Sequence, residues 1–247
     1  ENLEDSFIDC SDNWNIRPKE IINNNKYSFI TLRVKGTGTN RIFYGKDSEK
    51  YCSKFISPNE VYINNTKQSY VNFKYNFAQE ENEVKLVWYN HINYLGCIFY
   101  KCTNIIYIDF SHFNSSFIEN IHDMFNGCSS LIYVNFTNFE TSKLVDMHYM
   151  FNKCTSLISI DLSSFNTLRV NSMENLFYNC NNLQYINLKN FQQKSVLNYK
   201  YIFKGIPKNV IVCINKNKAP GLYKLIENLN CDNIYCSDDW YNKQKKL

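Results

Sequence analysis

From residue 102 to 203 the apolar positions of the chain recur with a period of 26 and no slip of register. Aligned on Cys102, Cys128, Cys154 and Cys180, the copies begin CTNIIYIDFSHF, CSSLIYVNFTNF, CTSLISIDLSSF and CNNLQYINLKNF. Counted from each cysteine, position +3 holds Ile105, Leu131, Leu157 and Leu183, and +6 holds Ile108, Val134, Ile160 and Ile186. Position +8 holds Phe110, Phe136, Leu162 and Leu188; position +11 is always Phe, at 113, 139, 165 and 191. Apolar residues two apart at +6 and +8 predict a short strand, because strand side chains alternate between faces. A second apolar set follows at +16 (Ile118, Leu144, Val170, Val196), +19 (Ile121, Met147, Met173, Tyr199), +22 (Met124, Met150, Leu176, Ile202) and +23 (Phe125, Phe151, Phe177, Phe203). Steps of three and four are those of one helix face, and Asn120, Asp146, Ser172 and Asn198 stand where its N-caps belong. Each repeat is therefore expected to be a short strand, a connection and about two turns of helix. One such unit cannot bury its apolar faces alone, so neighbours are expected to stack.

The pattern fades at both ends. Val84, Leu86 and Trp88 predict a strand before the first full repeat, and Val210, Val212 and Ile214 a last one, followed by a helix from about Pro220 to Leu229. The expected fold is an α/β repeat, a leucine-rich-repeat-like solenoid of about six parallel strands with short helices, capped by an N-terminal small β-domain. The unit "MFNKCTSLISIDLSSFNTLRV", residues 150–170, resembles the 26-residue bacterial-surface-protein repeat of the BspA-like leucine-rich-repeat family, which reads roughly M-F-x-x-C-x-x-L-x-x-L-D-L-S-x-F-x-T-S-x-V. The resemblance covers about residues 84–214 and implies a surface-exposed or secreted protein associated with adhesion, with no catalytic activity in the repeat. Gln192, Gln193 and Lys194 depart from that family's small hydroxylated residues, which predicts a looser connection in the fourth repeat.

Upstream of the repeats, YSFITLRV, NRIFYG, EVYINN, SYVNFKYNF and EVKLVWYN read as strands divided by turn formers such as Gly36, Gly38 and Ser57-Pro58. "GTGTN" at 36–40 lacks the Gly-Lys-Ser/Thr ending of a phosphate loop. The chain's two ends resemble each other: ENLEDSFIDCSDNWN opens it and ENLNCDNIYCSDDWY nearly closes it, offset by 226 residues. Tandem modules are the expected organisation. Residues 1–21 would be the tail of a preceding copy, 22–83 a β-rich cap, 84–230 the repeats with a C-terminal capping helix, and 231–247 a linker onward.

Composition narrows the function. The chain has 247 residues, 38 of them Asn but only 7 Gly and 4 Pro, and 44% of it is hydrophobic, enough for a sizeable core and unlike a disordered tail. A formal charge of +4 from 27 basic and 23 acidic residues is spread along the chain, so no nucleic-acid partner is expected, and no apolar run approaches the roughly 20 residues of a membrane span, so no membrane insertion is expected. Ten cysteines point to an oxidising compartment, and hence to an extracellular or cell-surface location, unless packing accounts for them.

Four of the ten are the 26-residue set. A metal cage needs short paired spacings, whereas a 26-residue period places successive sulfurs one strand spacing, roughly 5 Å, apart. Packed thiols are expected there, with ladder disulfides as the alternative. Cys10, Cys52, Cys97, Cys213, Cys231 and Cys236 break the period and are the disulfide candidates; Cys231 could pair with Cys236, or Cys10 and Cys236 could each reach a Cys52. His122 and His148 share position +20, with Glu174 next in the column, and are expected to be solvated. No Ser/His/Asp order or acid pair stands outside the repeat, so no enzyme, cofactor or metal is expected. The strand's outward positions present Tyr107, Tyr133, Ser159 and Tyr185 beside Asp109, Asn135, Asp161 and Asn187. Rings beside amides and carboxylates suit a protein or glycan ligand, and equally suit ordinary strand-surface ladders. Sequons stand at Asn64, Asn114 and Asn135. Two roles stay open: an adhesion or recognition module, or a building block of a tandem-module fibre, sheath or coat whose partners are neighbouring copies.

Overall fold

The computed structural model describes residues 27–45, 52, 54, 56–195 and 198–227. Residues 1–21 and 231–247, with Cys10, Cys231 and Cys236, lie outside the described residues. The N-terminal part forms β1 (Ser28–Lys35), β2 (Gly38–Arg41), β3 (Glu60–Ile63), β4 (Thr66–Lys67), β5 (Lys74–Phe77) and β6 (Glu81–Trp88). β1 and β6 pair antiparallel along their whole length, from Ser28↔Trp88 to Lys35↔Glu81. Their alternation buries Ile30, Leu32 and Val34 against Val84, Leu86 and Trp88. β3 pairs antiparallel with the far edge of β6, and β2 with β5 makes a separate two-stranded sheet.

The repeats supply β7 (Ile105–Asp109), β8 (Tyr133–Asn135), β9 (Ser159–Asp161) and β10 (Tyr185–Leu188), and β11 (Ile211–Ile214) follows. β7 joins the N-terminal strands by pairing antiparallel with β1, which gives one mixed six-stranded sheet in the order β4-β3-β6-β1-β7-β8. β9, β10 and β11 form a parallel three-stranded sheet.

The expected leucine-rich-repeat-like solenoid of about six parallel strands with short helices is therefore corrected. The strand at Val84–Trp88 is antiparallel to both its neighbours, the larger sheet is mixed and does not close into a solenoid, and the described residues of the repeats contain no α-helix. The one α-helix among the described residues is α1 (Pro220–Ile226).

Backbone hydrogen bonding gives the reason. Ile121, Asp123, Phe125 and Gly127 send their N–H groups sideways to the carbonyls of Asp146, His148, Met150 and Asn152 in the next repeat, at 3.0, 2.9, 2.9 and 2.8 Å. The intervening Met124, Asn126 and Cys128 donate three residues back, to Ile121, Asp123 and Phe125. A helix instead needs every N–H bonded four residues back and φ near −63° throughout. Here two residues per repeat are left-handed: Asp123 and Gly127 (φ 54° and 79°), Tyr149 and Lys153 (56° and 59°), Asn175 and Asn179 (53° and 59°), Tyr201 and Gly205 (58° and 80°). The residues read as N-caps are parallel bridge partners, Asn120↔Asp146, Asp146↔Ser172 and Ser172↔Asn198.

The apolar set still packs inward. Phe99, Phe125, Phe151, Phe177 and Phe203 form a column of near-parallel rings 5.2–6.2 Å apart, one per repeat. Behind it, Ser115, Thr141 and Thr167 are buried and accept the N–H groups of Glu140, Asn166 and Gln192 at 2.6, 2.7 and 2.8 Å. The connection expected to be loose is tied down. Gln193 Oε1 accepts the N–H groups of Gly221 (2.7 Å) and Leu222 (3.2 Å), capping α1 where Ala219 has no side chain to do so.

Candidate functional site

The outward strand positions are shallow. Tyr107, Asp109, Tyr133, Asn135, Ser159 and Asp161 are half-buried, but Tyr185 and Asn187 are buried at 2% and 5% exposure. Those last two are withdrawn as surface contacts: Tyr185 Oη lies 3.5 Å from Cys213 Sγ on the neighbouring β11. Tyr107 and Tyr133 stack at 5.8 Å, with the Arg33 guanidinium 5.7 Å from the Tyr107 ring. Burial, then the Asp109 carboxylate, pushes the Tyr107 hydroxyl well above its ordinary pKa. The polar residues close turns. Asp109 accepts from Ser111 N (2.8 Å), Asn135 from Thr137 N (3.0 Å), Asp161 from Ser163 N (2.8 Å) and Asn187 from Lys189 N (3.2 Å).

Of the sequons, Asn64 and Asn114 are exposed. Asn135 Nδ2 donates to Asp109 Oδ1 at 2.9 Å, a bond that a glycan on that nitrogen would disturb.

Among the cysteine candidates, Cys52 and Cys97 form a disulfide with Cα atoms 6.2 Å apart. Cys213 is buried, and its sulfur lies 3.5 Å from Tyr185 Oη. Cys102, Cys128, Cys154 and Cys180 are buried thiols. The last three donate S–H to the carbonyls of Phe99 (3.0 Å), Phe125 (3.1 Å) and Phe151 (2.9 Å), always 29 residues earlier. Burial holds the column's pKa values high, that of Cys180 at about 12, so the protons needed for these bonds stay on sulfur. The period located these sulfurs, but reading Cys as a small hydrophobe missed their role as donors.

The two histidines are mostly buried rather than solvated. Their rings stack at 4.8 Å and 3°, His122 shares a hydrogen with Tyr94 Oη at 2.7 Å, and His148 Nδ1 lies 2.6 Å from Asp146 Oδ1. Burial is the largest single influence and would lower the His148 pKa, but the hydrogen bond to Asp146 together with the carboxylates of Asp146, Asp123 and Glu174 outweighs it and leaves the pKa raised.

The turns also build a groove that the strand pattern did not suggest. Tyr149, Asn152, Lys153, Glu174, Asn175, Tyr178, Tyr201 and Lys204, drawn from three successive repeats, line a hollow of about 340 Å³. Tyr201 is 45% exposed, and the Lys204 ammonium stands 4.8 Å from its ring centroid and 5.7 Å from that of Tyr178. Glu174 is held by Asn175 Nδ2 (3.2 Å) and Asn198 Nδ2 (2.6 Å). Beneath lies an amide relay. Asn126 donates to Asp123 (2.5 Å) and Asn152 donates to Asn126 (2.9 Å), but the next residue in this column, one period on, is Tyr178. Asn152 Oδ1, in a residue only 6% exposed, is left as a buried acceptor with no partner among the described residues. Such a group costs about 1–3 kcal/mol unless a donor reaches it. The signal was present in the column at position +24, Asn126, Asn152, Tyr178 and Lys204, where amides give way to an aromatic ring and a cation.

Residues 93–212, just under half the chain, match a family model described as "Mycoplasma protein of unknown function, DUF285". No curated protein and no solved structure matches the chain. No helix among the described residues is long and apolar enough to cross a membrane.

Proposed function

We infer that the chain is a non-enzymatic recognition or adhesion module working at the cell surface or outside the cell. Its ligand surface is the turn-side groove, and its ligand a hydroxyl-rich one, a glycan. The observation that carries this reading is the orphaned Asn152 Oδ1 under a rim of tyrosines. A sugar presents hydroxyl donors for buried acceptors and C–H faces for rings, and Tyr rings bury large area at small entropic cost. Glu174 and Lys153 add polar groups that orient such a ligand. Support for an exterior location comes from the disulfide and from the resemblance of the 26-residue unit to BspA-like surface repeats. Tandem copies would add avidity to a weak site.

Glycan-array binding followed by titration of the best ligand tests the reading. Tyr201→Ala, exposed and cheap to fold, should weaken binding about tenfold, the scale of an aromatic contact at an interface. Tyr133→Ala on the strand face should leave affinity unchanged. The reverse pattern would move the site to the strands. An array without ligands, together with end-to-end association in sedimentation, would favour the tandem-assembly role.

A further inference from the structure

The disulfide does not stand alone. Cys97 Sγ and ligand atoms of His122 and Asp123 lie within 4.8 Å of one another, and among the described residues no other group of three histidine, cysteine or acidic side chains converges so closely. Cys52 Sγ is bonded to Cys97 Sγ, so a fourth donor stands one bond away from this group, outside the set that converges within 4.8 Å. Two sulfurs, an imidazole nitrogen and a carboxylate oxygen make up a donor set that zinc favours, softer than magnesium or calcium would select.

The surroundings orient these groups as supporting partners orient metal ligands. Asp123 and Cys97 are both fully buried and both left-handed, at φ 54° and 60°. Asp123 Oδ2 lies 3.0 Å from His122 Nδ1, while Asn126 holds the other carboxylate oxygen. Cys97 N–H donates to His122 O at 2.9 Å, which fixes the two chain segments side by side. Gly96 lets them close: a Cβ there would lie 2.7 Å from Tyr94 Cζ and 3.1 Å from His122 Cδ2. The column cysteines lack such company, their thiols being committed to carbonyl oxygens.

We propose that Cys52, Cys97, His122 and Asp123 form a redox-gated zinc site. A dithiol reductant breaks the S–S bond, gives two electrons and two protons to the sulfurs, and is itself oxidised to a disulfide. The two thiols then lose their protons to solvent as a divalent ion binds, and His122 and Asp123 complete a four-ligand shell. A small-molecule disulfide takes the two electrons and, with two protons from solvent, becomes two thiols, while the S–S bond of Cys52 and Cys97 re-forms and the ion is expelled. The same four residues thus serve as a crosslink under oxidising conditions and as a metal clasp under reducing ones.

Cobalt(II) is the probe, added to the full chain before and after reduction by a dithiol that is then removed without air. The reduced protein should take up one equivalent more than the oxidised protein and show thiolate-to-cobalt charge-transfer absorption with intense tetrahedral d–d bands. Zinc should bleach these bands. Reduced Cys97→Ser should lose the signal, and His122→Gln should weaken cobalt binding at least about tenfold. Equal uptake by reduced and oxidised protein, or undiminished uptake by reduced Cys97→Ser, overturns the proposal. Should either variant misfold by circular dichroism, alkylation of reduced wild type decides. Zinc should slow modification of half-buried Cys52, read on its peptide by mass spectrometry, and an unchanged rate refutes the site.

Discussion

Cys128 joins two repeats through one proton. Its S–H reaches Phe99 O at 3.0 Å, a carbonyl that also accepts the N–H of Cys102 at 3.0 Å. Burial raises the thiol's pKa, which favours the protonated form that the bond requires. Cys128→Ala removes one of that carbonyl's two donors and leaves the Cys102 N–H in place, so the lost hydrogen bond should cost about 1 kcal/mol, while Cys128→Ser should recover part of it. Urea denaturation checks both. An alanine variant as stable as wild type would return Cys128 to the status of a packed small hydrophobe. Periodicity shows that position 128 faces inward; that a carbonyl waits 29 residues earlier is a fact of three dimensions.

At the scale of the element, the apolar steps of three and four after each strand were legible, and the residues they mark are buried at Ile118, Ile121, Met124 and Phe125 and at their counterparts through Val170, Met173, Leu176 and Phe177. Their conformation was not legible, because a string of tight turns that alternates sideways and local hydrogen bonds spaces inward residues much as a helix does. Left-handed positions decide the matter. Gly205, at φ 80°, has Asn179 packed so close that a Cβ would lie 2.3 Å from Oδ1 and 3.2 Å from Cα. Gly205→Ala should therefore destabilise by at least the cost of one left-handed residue, roughly 1–2 kcal/mol. Its thermal midpoint should fall accordingly, and an unchanged midpoint would mean that the turn relaxes out of its left-handed form.

Across the whole molecule, β1 joins the N-terminal strands to the repeats. It bonds β6 along one edge and β7 along the other, so the antiparallel strands and the first repeats share one sheet, and Trp88 packs edge-on against Phe113 at 5.7 Å. The N-terminal strands and the repeats should therefore unfold together. Calorimetry is expected to show one transition over residues 27–227, and two resolved transitions would mean that the β1–β7 seam is weak. From the sequence alone came the period, the inward residues and the column of sulfurs, because each follows from spacing along the chain. Only the tertiary structure decided the direction of each strand, the turns in place of helices, the burial of Tyr185 and the convergence of Cys52 and Cys97 with His122 and Asp123. Those outcomes depend on which neighbour satisfies each backbone N–H, thiol and carboxylate, and the neighbours come from 25 or more residues away along the chain.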